Sequence, residues 1–227
     1  MDGKAVNIGV IKKVAYGLQE LRQEMVFVGG ATLSLYADDP AADAVRPTSD
    51  IDLSVSLAGY GAWNRLQERL QELKFHPDPQ SSVICRFSYK GITIDVMPDD
   101  PKILGFSNPW YQPGLEQSIQ TALPGGELRI RILPVAYFLA TKFSAYHNRG
   151  GDPRSSHDFE DIVYVTDNRV RLVDEIANSP NEVREYLKQE YGEIWKNRYR
   201  EEILGCHLGD HDRLPLLEDK IERILLL

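Results

Sequence analysis

Apolar positions along this chain repeat with two different periods. Ile8, Ile11, Val14, Leu18 and Leu21 recur at helical spacing and predict an amphipathic first helix. Met25 to Val28 is a short apolar run ended by Gly29-Gly30, the pattern of a strand and a turn. Ala31 to Tyr36 predicts a short helix. Ala37 to Ser49, with its Pro and Asp residues, predicts a loop. Ile51 to Ser56 alternates in polarity, as a half-buried strand does. Trp63, Leu66, Leu70 and Leu73 mark a second helix. Two more strands are expected at Ser82 to Tyr89 and Ile92 to Met97, joined by a turn at Lys90-Gly91. Pro98 to Pro113 reads as irregular, and Glu127 to Ile132 as a last strand.

After Pro134 the period is helical throughout. Val135 to His147 predicts a long helix with Pro134 near its first position. A polar loop, Asn148 to Ser155, separates it from helices near Asp158 to Val165, Arg169 to Ala177, Glu182 to Trp195 and Leu214 to Leu227. The expected organisation is an α/β (α+β) core over residues 1–133 and a helical region over 134–227.

Composition narrows the class. The 227 residues are 42% hydrophobic and 26% charged, the balance of a globular protein in water. No apolar run approaches the roughly 20 residues that span a bilayer. Met1-Asp2-Gly3-Lys4 lacks the basic start and apolar core of a signal peptide, so a cytoplasmic protein is expected. Cys85 and Cys206 have no partners at zinc-ligand spacing, and Cys85 in an apolar strand reads as a buried small residue. The formal charge of −8 argues against a general DNA-coating protein. A polyanionic partner would have to be captured by a local basic patch and partly through metal ions.

The candidate chemistry lies in Thr48-Ser49-Asp50-Ile51-Asp52-Leu53. Side chains two apart on a strand share a face, so Asp50 and Asp52 project together while Ile51 and Leu53 turn to the core. Neighbouring carboxylates repel unless a cation or a proton lies between them. Hard oxygen ligands suit magnesium, or manganese in its place. Asp95 interrupts the apolar run Ile92 to Met97 in the same way. If the two strands adjoin, three carboxylates line one face, which suits two-metal phosphoryl transfer. Gly29-Gly30 lets the backbone approach a phosphate, and Thr32 and Ser34 add hydroxyl donors beside it.

Taken together, Val28-Gly29-Gly30, Ser49-Asp50-Ile51-Asp52-Leu53 and Ile94-Asp95-Val96 resemble the DNA polymerase β-like nucleotidyltransferase superfamily. Within it the chain looks most like the AbiEii/AbiGii-type toxin nucleotidyltransferases. Those also carry a later helical motif, matched here by Lys142-Phe143-Ser144-Ala145, Arg149, Arg154 and Asp158-Phe159-Glu160-Asp161-Ile162. The resemblance runs from about Phe27 to Val165. It departs at His157, where the family commonly has Arg. It implies a mixed sheet with flanking helices, a nucleoside triphosphate such as ATP as substrate, and a magnesium requirement. By position it makes Asp50, Asp52 and Asp95 the catalytic metal ligands, with Asp95 also a candidate base. Gly29, Gly30, Thr32, Ser34 and Lys142 would hold the nucleotide.

Lys142 lies near an apolar helix face, so it either reaches out to water or meets the triphosphate. Asp158 and Asp161, one helical turn apart, are expected to orient Lys142 or a nearby Arg. Basic residues crowd 147–154 (His147, Arg149, Arg154) and 196–200 (Lys196, Arg198, Arg200), and either group is a candidate RNA contact. The expected activity moves a nucleoside monophosphate to an acceptor hydroxyl, a tRNA 3′ end or a protein side chain. The resemblance further implies a toxin of a toxin–antitoxin or phage-defence pair, with an antitoxin protein as partner. The alternatives are transfer to an aminoglycoside-type antibiotic and a silent domain that binds nucleotide or a partner.

Overall fold

The computed structural model describes residues 3–227, so Met1 and Asp2 of the N-terminal reading lie outside the described residues. The chain divides into two units. One comprises the residues up to Ser34 together with Ala44–Pro134; the other comprises Leu35–Asp43 and Val135–Leu227. The segment Leu35–Asp43, which falls in the α/β half of the sequence, thus packs with the helices. Asp38 and Asp39 donate their N–H groups to the Asn168 carbonyl at 3.1 Å, and Arg213 reaches Asp39 Oδ2 at 2.8 Å.

The first unit is built on a seven-stranded mixed sheet with flanking helices. In chain order its elements are α1 (Gly3–Gly17), β1 (Val26–Val28), β2 (Asp50–Val55), α2 (Tyr60–Glu72), β3 (His76–Pro77), β4 (Arg86–Tyr89), β5 (Ile92–Pro98), α3 (Pro101–Leu104), α4 (Tyr111–Glu116), β6 (Ile119–Ala122) and β7 (Arg129–Ile132). The strands lie in the order β3-β4-β5-β2-β1-β7-β6, with β2/β5 and β1/β7 parallel and the other neighbours antiparallel. One face is a continuous apolar surface. Phe27 pairs with Leu53 and Ile132, Ile51 with Ile94, and Leu53 with Val96, and all of these are buried. The alternation of β2 and β5 requires this, since a slip of one residue would turn the carboxylates into that core. Lys90 and Gly91 both have positive φ, 50° and 77°, the backbone of a two-residue hairpin turn between β4 and β5.

Several elements differ from the pattern reading. Gly30–Leu35 is a 3-10 helix rather than an α-helix. β4 begins at Arg86, because the chain before it turns, with Arg86 N bonded to Val83 O and Val83 N to Ser81 Oγ. β3 and β6 were not expected: β3 is two exposed residues, and β6 is exposed at Ile119, Gln120 and Ala122, so neither alternates. α3 forms inside the Pro-rich stretch Pro98 to Pro113 that reads as irregular, and α4 begins in it.

The second unit is helical: α5 (Val135–Arg149), α6 (His157–Asn168), α7 (Leu172–Ala177), α8 (Asn181–Lys196), α9 (Arg200–Gly205) and α10 (Leu214–Leu225). Ser156 caps α6, its Oγ accepting from Phe159 N at 3.3 Å. At the other end Lys220 donates to the carbonyls of Thr166 and Arg169 at 3.1 and 3.2 Å, satisfying groups that a helix leaves open. Phe143 meets Tyr191 edge to face at 5.3 Å, and the Tyr191 and Thr166 hydroxyls lie 2.6 Å apart. This polar contact lets a fully buried tyrosine join α8 to α6 without an unpaired hydroxyl. Among the described residues no helix is long and apolar enough to cross a membrane.

Candidate active site

Asp50 and Asp52 stand on the same face of β2, each partly exposed, while Ile51 and Leu53 are buried between and beyond them. The loop leading into β2 is fixed by Asn7 of α1. Its amide donates to Arg46 O at 3.1 Å and accepts from Thr48 N at 3.0 Å, and the Thr48 hydroxyl bonds Asp50 O at 3.3 Å. Asn7 is buried, so the position of the first acid is set by a satisfied polar contact rather than by a free loop.

β1 delivers the glycine turn beside these acids. Val28 pairs with Asp52, and the next residue, Gly29, has φ +72°. A Cβ there would fall 2.0 Å from Asp52 Oδ2. Gly29 is therefore needed twice, for its left-handed backbone and for the room it leaves the carboxylate. Thr32 is buried with its hydroxyl donated to Gly29 O at 2.9 Å, so it braces the turn and keeps only lone pairs for another group. Ser34 is also buried, and its Oγ makes no hydrogen bond among the described residues.

Asp95 lies opposite Asp52 in the parallel β2/β5 register, one strand spacing or about 4.8 Å away. Its two oxygens are held by Arg86 of β4, which donates from Nε at 2.8 Å and from a terminal nitrogen at 2.7 Å. These hydrogen bonds, and after them the charges of Asp95 and Asp50, push the Arg86 pKa further up against the opposing cost of burial. Burial, then the charges of Asp95 and Asp52, drives the Cys85 thiol up to about 11, so it is protonated and inert at neutral pH.

Within the helical unit, Lys142 is buried on α5, with Nζ 3.1 Å from Asp158 Oδ1 and 2.6 Å from Asp161 Oδ2 on α6. Its ammonium also lies 5.9 Å from the Phe138 ring centroid. Burial alone would lower the lysine pKa, but the charges of Asp161 and Asp158, with their hydrogen bonds, outweigh it and hold the pKa above the usual value. Lys142 therefore does not reach out to water. Arg149 pairs with the other Asp158 oxygen.

A family described as "Nucleotidyl transferase AbiEii toxin, Type IV TA system" matches residues 14–223, nearly the whole chain. The chain belongs to the AbiEii nucleotidyl transferase toxin family. It is a nucleotidyltransferase, and the match extends well beyond Val165, where the motifs legible by eye end. An antigenic nucleotidyltransferase-like protein from Paracoccidioides brasiliensis has a similar fold, with a TM-score of 0.53 and 16% identity over 88% of this chain and 92% of that one. Comparison with curated proteins gives no match.

For this AbiEii-family chain the donor set can be tested against a divalent ion. Magnesium is commonly held by one or two carboxylates plus substrate phosphates. Asp50 and Asp52 meet that requirement, being hard oxygen donors on one partly exposed face. Among the described residues no group of three His, Cys, Asp or Glu side chains converges on one point. Asp95 is adjacent in register and accepts one hydrogen bond from Arg86 on each oxygen, which leaves each oxygen a lone pair for an ion.

The basic groups in the helical unit are largely neutralised. Arg154 pairs with Asp152 and Glu202, Lys196 with Glu193, and Arg200 with Glu218, while His147 lies 2.7 Å from Glu190. His157, at the position where the family commonly has Arg, contacts Glu160 at 3.0 Å. Arg86 and Asn7 were not singled out by sequence reasoning. Arg86 was legible in principle, because a hairpin turned at Lys90-Gly91 puts it opposite Asp95. Asn7 carried no local signal, since its partners lie about 40 residues away.

Proposed function

We propose that this enzyme transfers a nucleoside monophosphate from a nucleoside triphosphate to an acceptor hydroxyl, with a divalent cation held by Asp50 and Asp52. The observation that carries the reading is the close fit of Gly29 against Asp52, which puts a backbone turn and a carboxylate pair in one place. A magnesium or manganese ion there would neutralise the triphosphate's charge and polarise its phosphorus centre.

The chain's own groups do the rest. Gly29 and Gly30 allow the phosphates to approach the backbone, and Ser34 offers an unused hydroxyl. The acceptor oxygen forms a bond to the α-phosphorus as the bond to the β-phosphate bridging oxygen breaks, and pyrophosphate leaves with that electron pair. The acceptor's proton passes to a carboxylate on the β2/β5 face or to water. Asp95, locked by Arg86, fixes the field around Asp52. Within the helical unit, Asp158 and Asp161 hold the Lys142 ammonium and neutralise its charge.

The acceptor in this reading is the 3′ end of an RNA such as tRNA, or a protein hydroxyl, and the enzyme acts in the cytoplasm, where triphosphate is abundant. Family membership also supports an antitoxin partner. The test is incorporation of label from each α-labelled triphosphate into total RNA, total protein or an aminoglycoside. Label in RNA or protein upholds the reading. Label confined to the aminoglycoside moves the enzyme to antibiotic modification, and no label with any acceptor contradicts transfer.

A further inference from the structure

Among the described residues Arg22, Arg129 and Arg131 of the first unit, like Arg65 elsewhere on it, have no carboxylate partner. In a chain of net charge −8, where the basic groups singled out by sequence are mostly paired, this is unusual. The three line one open cleft of about 550 Å³ with Gln23, Gln120 and a single acid, Glu127. Arg129 and Arg131 are two apart on β7 and share a face, and Gln120 faces Arg131 across the β6/β7 pair. Arg131 is rigidly held, donating to Ser118 Oγ, Leu115 O and Gln23 O at 3.0, 3.3 and 3.1 Å. Arg129 makes one hydrogen bond, to the Gln120 carbonyl at 3.1 Å, and is exposed.

The register relates this cleft to the acids. Val28 pairs with Asp52, while Val26, two residues earlier and on the same face, pairs with Arg131. Arg129 and Arg131 therefore lie on the carboxylate face of the sheet, two strands or about 10 Å across from β2. We propose that the Arg22/Arg129/Arg131 cleft binds the phosphate backbone of a single-stranded RNA whose 3′ end is the acceptor. Two guanidiniums spaced along one strand match the separation of successive phosphates along a nucleic-acid chain: Arg129, with most donors unused, can fork onto phosphate oxygens, and Arg131 adds a fixed positive charge. An acidic protein segment offers the same sign of charge but no fixed spacing of diffuse anions. The choice of RNA rests on the transfer reading; the cleft's affinity does not.

The experiment is anisotropy of a labelled single-stranded RNA against salt, without triphosphate or magnesium, on the full chain. Arg22→Gln/Arg129→Gln spares Arg131 and its hydrogen bonds, so the fold should be kept; melting confirms this. The double variant should bind about tenfold more weakly near physiological salt, with a log–log salt slope shallower by about 1.4, or 0.7 per lost phosphate contact. Arg129→Lys should retain part of the affinity. Unchanged affinity and slope in the double variant overturn the proposal, as does equal binding of a polyglutamate peptide. Because no transfer is measured, RNA binding that survives alongside a failed label assay would reject the transfer reading and keep the cleft.

Discussion

Gly29, in the turn that follows β1, lies so close to Asp52 of β2 that a single added carbon at Gly29 would lie 2.0 Å from Asp52 Oδ2. Gly29→Ala therefore meets two costs, a left-handed backbone at φ +72° and displacement of the carboxylate. The backbone part alone is about 1–2 kcal/mol. We expect a lower melting temperature and at least a tenfold loss of transfer. Wild-type transfer in a folded Gly29→Ala protein would separate the turn from the chemistry.

Arg86 and Asp95 form a partly buried bidentate pair. Arg86→Gln leaves the Asp95 carboxylate short of donors, and about 1–3 kcal/mol of stability should be lost. Arg86→Lys should restore only part, because an ammonium cannot reproduce the fork. Chemical denaturation of the three proteins checks the order, and transfer should fall in the same order.

Ser34 is buried with an unused hydroxyl. Ser34→Ala removes a polar atom that has no partner, so stability should hold or rise. The KM for the triphosphate should rise if that hydroxyl meets the phosphates. An unchanged KM would assign Ser34 to packing alone.

Lys142 sits between two acids that are nearly inaccessible to water. Lys142→Met strands them and should cost about 3–5 kcal/mol. Lys142→Arg keeps the charge and should fold, losing much less stability than Lys142→Met. The raised lysine pKa sets the pH dependence. Its stabilisation is complete below the ordinary value of 10.5 and declines as pH rises from there through the higher folded value. Melting temperature followed upward from pH 9 should show this decline in wild type and a shallower one in Lys142→Met.

The sequence made some of this arrangement legible and hid the rest for physical reasons. Asp50 and Asp52 could be placed on one face because β2 alternates, and the Lys90-Gly91 turn carried its own backbone signature. β6 left no trace because an exposed edge strand need not alternate. Ala37 to Ser49 reads only as a loop, yet Asp38 and Asp39 within it are held to the helices through Asn168 and Arg213, partners remote in sequence. Arg86 and the β7 arginines depend on strand register, which pattern alone does not supply across seven strands.

The central claim is that Asp50 and Asp52 hold the ion on which transfer depends. The most direct measurement is label incorporation from α-labelled triphosphate as magnesium is raised, for wild type, Asp50→Asn and Asp52→Asn. The fold should survive, because each substitution relieves repulsion between like charges on one strand face. The account predicts a saturable magnesium dependence in wild type and loss of transfer in both variants at every magnesium concentration, with unchanged or higher melting temperatures. Full activity of both variants at limiting magnesium would contradict it.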